Sequence, residues 1–499
     1  MQSTVELNIT NIFKDSFSGS AAILWWAKLT PSNIAVQYGE IKYTYGEMAL
    51  HLAKYIKSLE LFGVKSGQLV GIECDHTYLH LLLNLAVEAI GASHTAISKY
   101  SSDNNAAILG VCEVLLVQNL SSNIQKSKQV LGITNAWINE VALLVVDNID
   151  LERLARKNSD NQVVMLCASS GTTGMPKFFE EKRGAFNASV NLFEDLFFKD
   201  HQKINFITVY SMSVGASFAG AITALKVGST IVITFINQFM QAVAQYPMSH
   251  SALTVRDTYF LQKEHSPEFI GCKLGSLRVF GAALPTTLRQ WLMKYVADRV
   301  ISAYSSTEAG LIAEIDKDGV GHIYPNAEVQ IVDENIMPVP LGKPGLLLVK
   351  SNRMIHRYLW NENLTKQHFL NGWFLTSDCG YKVSESQIVI LGRNDDLLNL
   401  GGLKVSPYLM EDKIKAIDGV SDCILANPKE SSVGVVYVCI EREDLVCESG
   451  IIDLIRPLLN YDNELIYYFF FKKFSRTKTG KIKRIELLQE ISQGKIRSY

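Results

Sequence analysis

The stretch ASSGTTGMPK at residues 168–177 places four hydroxyl side chains around two glycines and ends in a proline and a lysine. Glycines let a ligand approach the backbone closely, and hydroxyls beside free amides suit phosphate oxygens. The apolar run VVMLC at residues 163–167 predicts a buried strand just before the stretch. Because phosphates bind at the carboxyl ends of such strands, the stretch predicts a nucleotide loop in an α/β fold. A polar surface turn is the alternative.

The spacing of this loop differs from that of a Walker loop. A Walker loop runs GxxxxGK[ST] straight into a helix, whereas Gly174 is followed here by Met175, Pro176 and Lys177. Pro176 interrupts any helix that would start at once, because its ring clashes with the preceding turn. The loop alone therefore leaves both interpretations open, and the rest of the chain has to decide between them.

Length and composition indicate a globular protein with several domains or subdomains. The chain has 499 residues, of which 47% are apolar and 20% charged, and its formal net charge is −2. At about 150 residues per domain, this length predicts roughly two to four domains or subdomains. The near-neutral charge gives no overall attraction to nucleic acid or to an anionic membrane. A small-molecule site is therefore the better expectation.

The sequence contains no targeting or metal-binding pattern. The amino-terminal MQSTVELNIT has no basic segment before an apolar core, and no uninterrupted apolar run reaches the roughly 18 residues of a membrane span. The eight cysteines form no CxxC pair, and the ten histidines include no HExxH pattern. We therefore expect a cytoplasmic protein with reduced, mostly buried thiols, and without a membrane span, a zinc site or a nucleic-acid partner.

Apolar strands alternate with helical segments through much of the first two thirds of the chain. Examples are GQLVGIEC at 67–74, the helical LHLLLNLAVEAIGA at 79–92 and STIVITF at 229–235. This alternation predicts α/β layers with largely parallel sheets. From about Gly345, shorter strands predict a small β subdomain, and after Arg393 the polar NDDLLNLGG predicts a connector. We therefore predict an α/β fold with a large domain at residues 1–393 and a small α+β domain at residues 394–499.

Five motifs in a fixed order support the nucleotide interpretation of the loop. They are ASSGTTGMPK, AYSSTEAG at 303–310, WFLTSDCG with Asp378, LGRNDD with Arg393, and TGKIKR with Lys481. Together with YTYGEM at 43–48, this set resembles the adenylate-forming superfamily of acyl-CoA synthetases, nonribosomal-peptide adenylation domains and luciferases. The resemblance covers roughly residues 25–490, and an ordered set is far more specific than one motif.

The resemblance implies a reaction in two steps. A carboxylate attacks the α-phosphate of ATP to give an acyl-adenylate and pyrophosphate, and the acyl group then passes to a thiol. Catalysis of the first step consists mainly of stabilising charge. Lys481 is implied to bridge the carboxylate and the α-phosphate, Thr307 to contact phosphate, and Glu308 to hold Mg²⁺. The residues implied to bind the departing phosphates are Ser169, Ser170, Gly171, Thr172, Thr173, Gly174 and Lys177.

The resemblance also implies contacts with the nucleoside. Tyr304 is implied to lie against adenine, Asp378 to accept from the ribose hydroxyls, and Arg393 to lie near the ribose. Each residue type has an ordinary structural use as well: a carboxylate near a helix start or in a turn, a tyrosine in a core, or a lysine in a solvated charge run. Taken one at a time, these structural uses would be preferred, and the ordered set favours the functional roles.

A mobile carboxyl-terminal domain is a further implication of the resemblance. In the superfamily this domain rotates between the two half-reactions, and Asp395 matches the hinge position. Gly401 and Gly402 match the loop that lines the pantetheine tunnel of thioester-forming members, which favours a thioester product. An ordinary glycine turn is the alternative for this pair.

Two motifs depart from the pattern of the superfamily. The usual YGxTE and TGD carry serine here, at Ser305 and Ser377. Serine restricts the backbone near the nucleotide, which motivates the hypothesis of a catalytically silent nucleotide-binding protein. Retention of the ionisable residues, Glu308 and Lys481 among them, favours an active enzyme.

The segment SMSVGASFAGAITALKVGS at 211–229 bears on the acid substrate. Ser213 stands where many acyl- and aryl-CoA ligases carry a histidine, and Gly215 where amino-acid-activating domains carry an aspartate. Because an ammonium buried without a counter-ion is costly, we expect an acid without an α-amino group. Further small residues are implied to leave room for an aryl or medium acyl group. They are Ala216, Ala219, Gly220, Gly281, Ala282 and Ala283.

The thiol acceptor is open between two classes. No carrier domain follows Lys481, so we expect free CoA or a separate carrier protein. The basic residues Lys472, Lys473, Arg476 and Lys478 would attract either CoA phosphates or an acidic carrier surface. An acid–CoA ligase that uses ATP and Mg²⁺ is therefore the leading hypothesis, and loading of a carrier protein is the first alternative.

Overall fold

The computed structural model describes residues 17–97, 108–118, 129–148, 150, 154, 159–169, 177–197, 204–264, 271–394, 397–400, 403–405, 407–428, 435–442, 447–459, 466–476 and 482–494. Several predicted site residues lie outside these ranges. They are Ser170, Gly171, Thr172, Thr173, Gly174, Asp395, Gly401, Gly402 and Lys481. The roles assigned to them stay predictions.

Helices and strands alternate through most of the chain. The helices are α1 (Gly19–Leu29), α2 (Tyr45–Phe62), α3 (Thr77–Ile90), α4 (Asn135–Leu143), α5 (Arg183–Phe197), α6 (Gly215–Lys226), α7 (Phe239–Gln245), α8 (Val255–Lys263), α9 (Thr286–Tyr295), α10 (Glu362–His368), α11 (Pro407–Lys415), α12 (Glu448–Leu459) and α13 (Arg484–Ser492). The strands are β1 (Ile34–Tyr38), β2 (Ile41–Thr44), β3 (Leu69–Glu73), β4 (Ser93–Ala96), β5 (Val114–Val117), β6 (Gln129–Gly132), β7 (Val163–Ser169), β8 (Lys177–Lys182), β9 (Phe206–Thr208), β10 (Ile231–Ile233), β11 (His250–Thr254), β12 (Leu274–Phe280), β13 (Ala297–Ser306), β14 (Gly310–Ile315), β15 (Val320–Ile323), β16 (Ala327–Val332), β17 (Gly345–Ser351), β18 (Phe369–Leu370), β19 (Trp373–Ser384), β20 (Gln387–Arg393), β21 (Leu398–Leu400), β22 (Leu403–Val405), β23 (Val420–Ala426), β24 (Val436–Arg442) and β25 (Ile466–Phe471).

The chain divides into two compact units. The first comprises Met1–Glu314, Tyr324–Ala327 and Lys350–Phe374, and the second comprises Ile315–Ile323, Glu328–Val349 and Leu375–Tyr499. The first unit carries the phosphate-loop and AYSSTEAG motifs. The second carries the motifs that contain Asp378 and Arg393.

Two largely parallel groups of strands build the first unit. One sheet has the order β6-β5-β3-β4-β7-β8, in which only β8 runs antiparallel to its neighbour. The other group has the order β14-β13-β12-β11-β9-β10-β1-β2, and β9, β11, β12 and β13 run parallel. Because parallel strands end at the same edge, the segments that follow these four strands lie along one edge of the sheet.

The motif YTYGEM forms the start of helix α2. The Thr44 hydroxyl accepts a hydrogen bond from the Glu47 amide at 3.2 Å, and the Glu47 carboxylate accepts one from the Thr44 amide at 2.8 Å. These two bonds form a capping box, which starts the helix. Tyr45 follows, fully buried, and its hydroxyl donates to the Ser229 carbonyl at 2.8 Å. This motif of the superfamily therefore has a clear structural role.

The second unit is rich in strands. It contains the order β16-β17-β19-β20-β15, the hairpin β21-β22 and the three-stranded sheet β23-β24-β25. Isoleucines of α11 and α12, such as Ile414 and Ile455, are buried against the three-stranded sheet, and Leu487 of α13 is buried against Ile424 and Phe469. Each layer is amphipathic, so packing the apolar faces together forms these small cores.

Most predicted elements are confirmed. VVMLC lies in β7, STIVITF contains β10, and the helix expected near residues 79–92 is α3. The eight cysteines are free and five of them are buried, as expected. No helix within the described ranges is long and apolar enough to cross a membrane. The α/β class of the fold is therefore confirmed, and the cytoplasmic location stays a prediction.

Two buried histidines predict that acid destabilises the protein. His80 and His250 are 3% and 0% exposed, and burial lowers the pKa of His80 to about 4 and that of His250 to about 3. In the unfolded chain each pKa returns to about 6.5, so the unfolded state binds more protons in acid. The stability is fully present above about pH 6.5, and each histidine removes about 1.4 kcal/mol per pH unit below it, down to its folded-state pKa.

Urea unfolding at pH 7.5, 6 and 5 measures this loss, with His80→Leu as the matched variant. The variant should show a shallower decline of unfolding free energy with falling pH than the wild-type protein. Parallel declines would show that His80 does not stay neutral in the folded protein.

Candidate active site

The predicted phosphate loop lies between two strands of a hairpin. Strand β7 ends at Ser169, β8 begins at Lys177, and these two residues pair across the antiparallel hairpin. The intervening residues 170–176 lie outside the described ranges. The hairpin therefore places Lys177 opposite the end of β7, at the edge where the sequence predicted phosphate binding.

Tyr358 connects Lys177 with Glu308. The Lys177 ammonium lies 5.2 Å from the centre of the Tyr358 ring, at the distance of a cation–π contact. The Tyr358 hydroxyl donates to Oε1 of Glu308 at 2.8 Å. Tyr358 and Glu308 are both buried, at 3% and 8% exposure. Two residues predicted from separate motifs thus meet at one tyrosine that the sequence analysis did not identify.

A buried ion pair lies beside this tyrosine contact. Glu181 of β8 is fully buried, and its Oε2 atom lies 2.7 Å from Nη2 of Arg353. The other end of the guanidinium, Nη1, donates to the Thr307 carbonyl at 2.8 Å. Burial raises the pKa of Glu181, and the charge of Arg353 opposes that shift. Arg353 therefore ties β8 to the turn that carries Thr307 and Glu308.

The turn after β13 is held by further bonds. The Ser306 hydroxyl accepts from the Ala309 amide at 2.9 Å, and the Ser351 hydroxyl donates to the Ala309 carbonyl at 2.7 Å. Gly310 has φ +71°, and a Cβ atom there would lie 2.6 Å from Cδ of Arg353. The glycine of AYSSTEAG is thus required by backbone conformation and by the packing of Arg353.

The two serine departures lie in extended backbone. Ser305 belongs to β13 and Ser377 to β19, and neither is among the described residues with positive φ. Since glycine is needed only where φ is positive or another group approaches closely, serine fits these strands without strain. Backbone conformation therefore requires glycine at neither position.

Asp378 and Arg393 form a cross-strand pair in the second unit. They lie opposite each other on β19 and β20, and Nε of Arg393 is 3.2 Å from Oδ1 of Asp378. The Asp378 amide donates to the Thr376 hydroxyl at 3.1 Å, which helps to fix the aspartate backbone. The two residues predicted to lie near the ribose are therefore neighbours.

The residues on either side of the segment with Lys481 are anchored within the second unit. Arg476 pairs with Asp422 at 2.8 Å and with Glu441 at 3.0 Å, and Arg476 forms an antiparallel bridge with Ile482. Arg484 makes two bonds to the Glu411 carboxylate, at 2.9 and 3.1 Å. Arg476 is thus committed to internal ion pairs, which weakens its expected role in attracting CoA or a carrier.

The residues assigned to the acid lie after parallel strands of the first unit. Ser213 and Gly215 follow β9, and a Cβ atom on Gly215 would meet nothing within 4 Å among the described residues. Gly281 follows β12 with φ +91°, and its nearest neighbour, Thr254, lies 4.0 Å from a Cβ built there. Ala282 and Ala283 are exposed. These positions therefore border open space.

Gly220 differs from the expectation that it leaves room for the acid. A Cβ atom at this position would lie 2.3 Å from the ring of Phe206, so the glycine lets α6 pack closely on β9. Ala219 beside it is also buried, at 7% exposure. The small residues of α6 therefore divide into Gly215 at its exposed start and packing positions further along.

A hydrogen-bonded group near the same edge was not predicted from the sequence. The Tyr210 hydroxyl donates to Asp257 and accepts from the Thr254 amide, the latter at 2.8 Å. The Thr254 hydroxyl also donates to Asp257. Asp257 is therefore engaged with its neighbours. Thr254 and Asp257 form the Ser/Thr-x-x-Asp/Glu pattern of a helix start, with Thr254 as the N-cap of α8, whereas no local pattern joins Tyr210 to them.

The described residues are compatible with a Mg²⁺ site that has only one or two protein ligands. Within the described ranges, no cluster of three or more histidine, cysteine, aspartate or glutamate side chains is placed to hold a metal ion. Mg²⁺ commonly binds one or two carboxylates and completes its shell with water and substrate phosphates. Glu308, close to the phosphate hairpin through Tyr358, fits that mode of binding.

The ion pair of Arg353 predicts a strong effect on stability. Arg353→Met leaves the buried Glu181 carboxylate without its partner, and removing one member of a buried pair costs about 3–5 kcal/mol. The double variant Glu181→Leu/Arg353→Met should regain most of this loss, since both charges are then removed. Chemical denaturation measures the unfolding free energy of the three proteins.

The exposed pair of Arg357 and Glu180 provides the control. Its nitrogen and oxygen are 3.3 Å apart, with 65% and 33% of the side chains exposed. Arg357→Met should cost less than about 1 kcal/mol, as exposed pairs do. Equal costs for Arg353→Met and Arg357→Met would show that the buried pair does not hold the site.

Known proteins resemble this chain over most of its length. The family model described as AMP-binding enzyme matches residues 23–359. 4-Coumarate-CoA ligase 1 from Narcissus pseudonarcissus is 23% identical over 490 residues, which cover 89% of this chain and 88% of that protein.

Solved structures share the fold. O-Succinylbenzoate coenzyme A synthetase from Bacillus subtilis, in complex with AMP, matches with a TM-score of 0.78 and 18% identity, over 94% of this chain and 98% of that chain. ATP-bound MatB from Rhodopseudomonas palustris matches with a TM-score of 0.79 and 17% identity, over 94% and 98% of the two chains. The family match confirms the predicted superfamily, and the chain belongs to the AMP-binding enzymes, ATP-dependent ligases that form an acyl-adenylate.

Proposed function

We propose that this enzyme activates a carboxylic acid without an α-amino group and transfers the acyl group to CoA. The observation that carries the proposal is the meeting of Lys177 and Glu308 at Tyr358, because the phosphate-binding lysine and the magnesium carboxylate must act on the same triphosphate. The CoA ligases among the relatives and solved structures support CoA as the acceptor.

In the first step, residues of the first unit act on the triphosphate. Lys177 and the loop at 169–174 hold the β- and γ-phosphates as they leave, and Thr307 contacts phosphate. Mg²⁺, when bound by Glu308, neutralises part of the charge on the phosphates. The bond from Tyr358 keeps the Glu308 carboxylate in place, and such preorganised charge needs no rearrangement when the reaction occurs.

The nucleoside and the attacking carboxylate use other residues. Tyr304 lies against adenine in this proposal, and Asp378 accepts from the ribose hydroxyls while Arg393 holds Asp378. Lys481 bridges the acid carboxylate and the α-phosphate, where it stabilises the charge of the transition state.

In this proposal the chain has a large domain at residues 1–393 and a small domain at residues 394–499, and the second step depends on movement of the small domain. Asp395 is the hinge in this proposal, and rotation of the smaller domain withdraws Lys481 after adenylation. Gly401 and Gly402 line the tunnel through which the thiol arm of CoA reaches the adenylate, since side chains there would obstruct it.

In this proposal the described residues assigned to the acid bring no carboxylate that could pair with an ammonium group. Ser213 and Gly215 supply no negative charge, and Asp257 is already bonded by Tyr210 and Thr254. Burying an unpaired ammonium is costly, so α-amino acids are poor substrates in this proposal. With Gly281, Ala282 and Ala283, the pocket has room for an aryl or medium acyl group.

Transfer to a separate carrier protein is the second candidate acceptor. Lys472 and Lys473 are exposed basic residues next to β25 that would suit an acidic carrier. A silent nucleotide-binding protein is the rival from another class, and retention of the ionisable residues Glu308, Asp378, Arg393 and Lys481 speaks against it.

Pyrophosphate release tests the proposal. ATP and Mg²⁺ are supplied with aryl, short, medium and long fatty, and amino acids, each with and without CoA. Release with one acid class, followed by a CoA thioester, supports the proposed function. Release without a CoA product favours a carrier protein. ATP binding seen as a heat-stability shift, without release for any acid, favours the silent protein.

Tyr358→Phe should weaken adenylation. The variant keeps the ring beside Lys177 but loses the hydroxyl that donates to Glu308. Hydrogen bonds to charged groups contribute about 1.5–3 kcal/mol, so kcat/KM for pyrophosphate release should fall by roughly 10- to 100-fold. The Mg²⁺ concentration required for half-maximal rate should rise as well. An unchanged Mg²⁺ requirement would show that the Tyr358 hydroxyl does not position a metal ligand. Tyr358→Leu, which also loses the ring beside Lys177, should in addition raise KM for ATP.

Lys481→Ala and Asp395→Pro should separate the two half-reactions. The first variant should lose adenylation by at least roughly 100-fold, since it removes a charge that stabilises the transition state. The second should retain adenylation and lose transfer from preformed adenylate to CoA. Lys483→Ala is the control, because Lys483 pairs on the surface with Glu486 at 2.7 Å. Normal adenylation in Lys481→Ala, or normal transfer in Asp395→Pro, would refute the corresponding role.

A further inference from the structure

Arg278 is a buried cation in the first unit. It lies on β12, and only 7% of its surface is exposed. The neighbours Leu277 and Val279 point to the opposite face of the strand, where they pack in an apolar core with α7, α8 and α9. Side chains alternate along a strand, so Arg278 shares its face with Ser276 and Phe280.

Two aromatic rings lie close to the guanidinium of Arg278. Its central carbon lies 4.8 Å from the centre of the Phe193 ring and 5.6 Å from that of Phe280. Contacts with ring faces leave the N–H groups at the edges of the guanidinium free to donate. Nε and Nη1 of Arg278 are buried and have no hydrogen-bond partner among the described residues.

The titratable side chains that act electrostatically on Arg278 are Tyr324, which raises the pKa of Arg278, and Arg353, which lowers it, and neither of them is a carboxylate. Arg353, whose charge acts on Arg278, pairs with Glu181 at 2.7 Å, and Arg299 pairs with Glu314 at 2.9 Å. Burial lowers the pKa of Arg278 to about 10, so the group is still charged at neutral pH. A buried charge of this kind is costly unless something pairs with it.

Contacts link Arg278 to the edge assigned to the acid. The Phe280 ring, beside Arg278, lies with its centre 5.9 Å from that of Tyr210. Tyr210 comes just before the segment with Ser213 and Gly215, and Gly281 directly follows Phe280. Three residues of extended strand separate Arg278 from Gly281, a distance of roughly 10 Å. Arg278 therefore lies about 10 Å along β12 from Gly281, which borders the proposed acid pocket.

We propose that the acid substrate carries a second anionic group and that Arg278 binds this group at the closed end of the pocket. This inference rests on the proposed function, because it concerns the acid that is activated. The unpartnered Nε and Nη1 atoms offer charged N–H donors to the oxygens of an anionic group, and Phe193 and Phe280 suit an apolar spacer between the two acid groups. The substrate class is thus a dicarboxylate, or an acid with another terminal anion, on an alkyl or aryl spacer.

Matched pairs of acids test this proposal. Pyrophosphate release is measured with hexanedioate against hexanoate, octanedioate against octanoate, and terephthalate against benzoate. The wild-type enzyme should prefer at least one diacid by about tenfold or more in kcat/KM, the size of one hydrogen bond to a charged group. A preference for the monoacid in every pair would overturn the inference and leave the proposed function standing.

Variants of Arg278 identify the origin of the preference. Arg278→Met has a side chain of similar length without charge, and it should remove the diacid preference while the monoacid is still activated. Arg278→Lys keeps the charge but not the planar guanidinium with its several N–H donors, so it should retain a reduced preference. A diacid preference of wild-type size in Arg278→Met would overturn the inference.

Denaturation distinguishes substrate binding by Arg278 from a purely structural role. Arg278→Met should unfold at the same or higher denaturant concentration than the wild type, because it removes a buried unpaired charge. A marked loss of stability would show that Arg278 is a structural residue with a partner inside the protein, and it would overturn the inference.

Ligand-induced heat stability tests Arg278 independently of turnover. If no acid gives pyrophosphate, the proposed function fails, and the shift with each diacid is then compared with the shift for its monoacid. A larger shift with a diacid that Arg278→Met loses supports binding of the second anionic group. Equal shifts for diacid and monoacid would overturn it.

Discussion

The segment from Arg353 to Leu359 holds the candidate site of the first unit together. Arg353 bonds both to Glu181 of the phosphate hairpin, 172 residues away in the chain, and to the Thr307 carbonyl. Tyr358 bonds to Glu308, and the Leu359 amide donates to the Phe178 carbonyl at 2.7 Å. The low dielectric of the protein interior strengthens these hydrogen bonds and the ion pair. It also makes a buried polar or charged group without a partner costly in free energy. The hairpin and the turn are therefore fixed relative to each other by polar contacts that cannot be lost singly without a large cost.

A second group of buried ionisable side chains in the first unit is also held together by direct contacts. Arg183 lies 2.8 Å from Glu88, and the other oxygen of Glu88 lies 3.1 Å from His94, all three nearly inaccessible to water. Burial alone would raise the pKa of Glu88, but the neighbouring Arg183 and His94 lower it. Buried nitrogens of both Arg183 and Arg278 lack a hydrogen-bond partner among the described residues. The difference is that Arg183 has the Glu88 carboxylate beside it, whereas Arg278 has no ion pair among the described residues, and in our proposal its partner is the substrate.

The contacts proposed for ATP and those proposed for the acid are assigned on different structural observations. Stabilisation of the leaving phosphates is assigned to residues that meet in the first unit, and the ribose contacts to a cross-strand pair in the second. The choice of acid depends on which side chains border the space beyond β9 and β12. There Gly215 and Gly281 leave space, whereas Gly220 is small because Phe206 packs against it. The small size of a residue therefore does not identify it as a pocket residue. What matters is whether a neighbouring side chain already fills the space beside it.

The sequence by itself determined the fold class, most strands and helices, and the family. Periodic apolar runs report burial over a few residues, and the ordered motifs report residues that the chemistry needs at given places. Only the tertiary structure identified Tyr358, the pair of Glu181 and Arg353, and Arg278, and it showed that the two serine departures lie in ordinary extended backbone. The physical reason is distance along the chain, because these side chains acquire their roles through partners far away in sequence and through burial by other elements. The contact between Tyr358 and Glu308 spans 50 residues and that between Arg353 and Glu181 spans 172. A local pattern reports a residue's own tendency to be buried, and the fold alone decides what it is buried against.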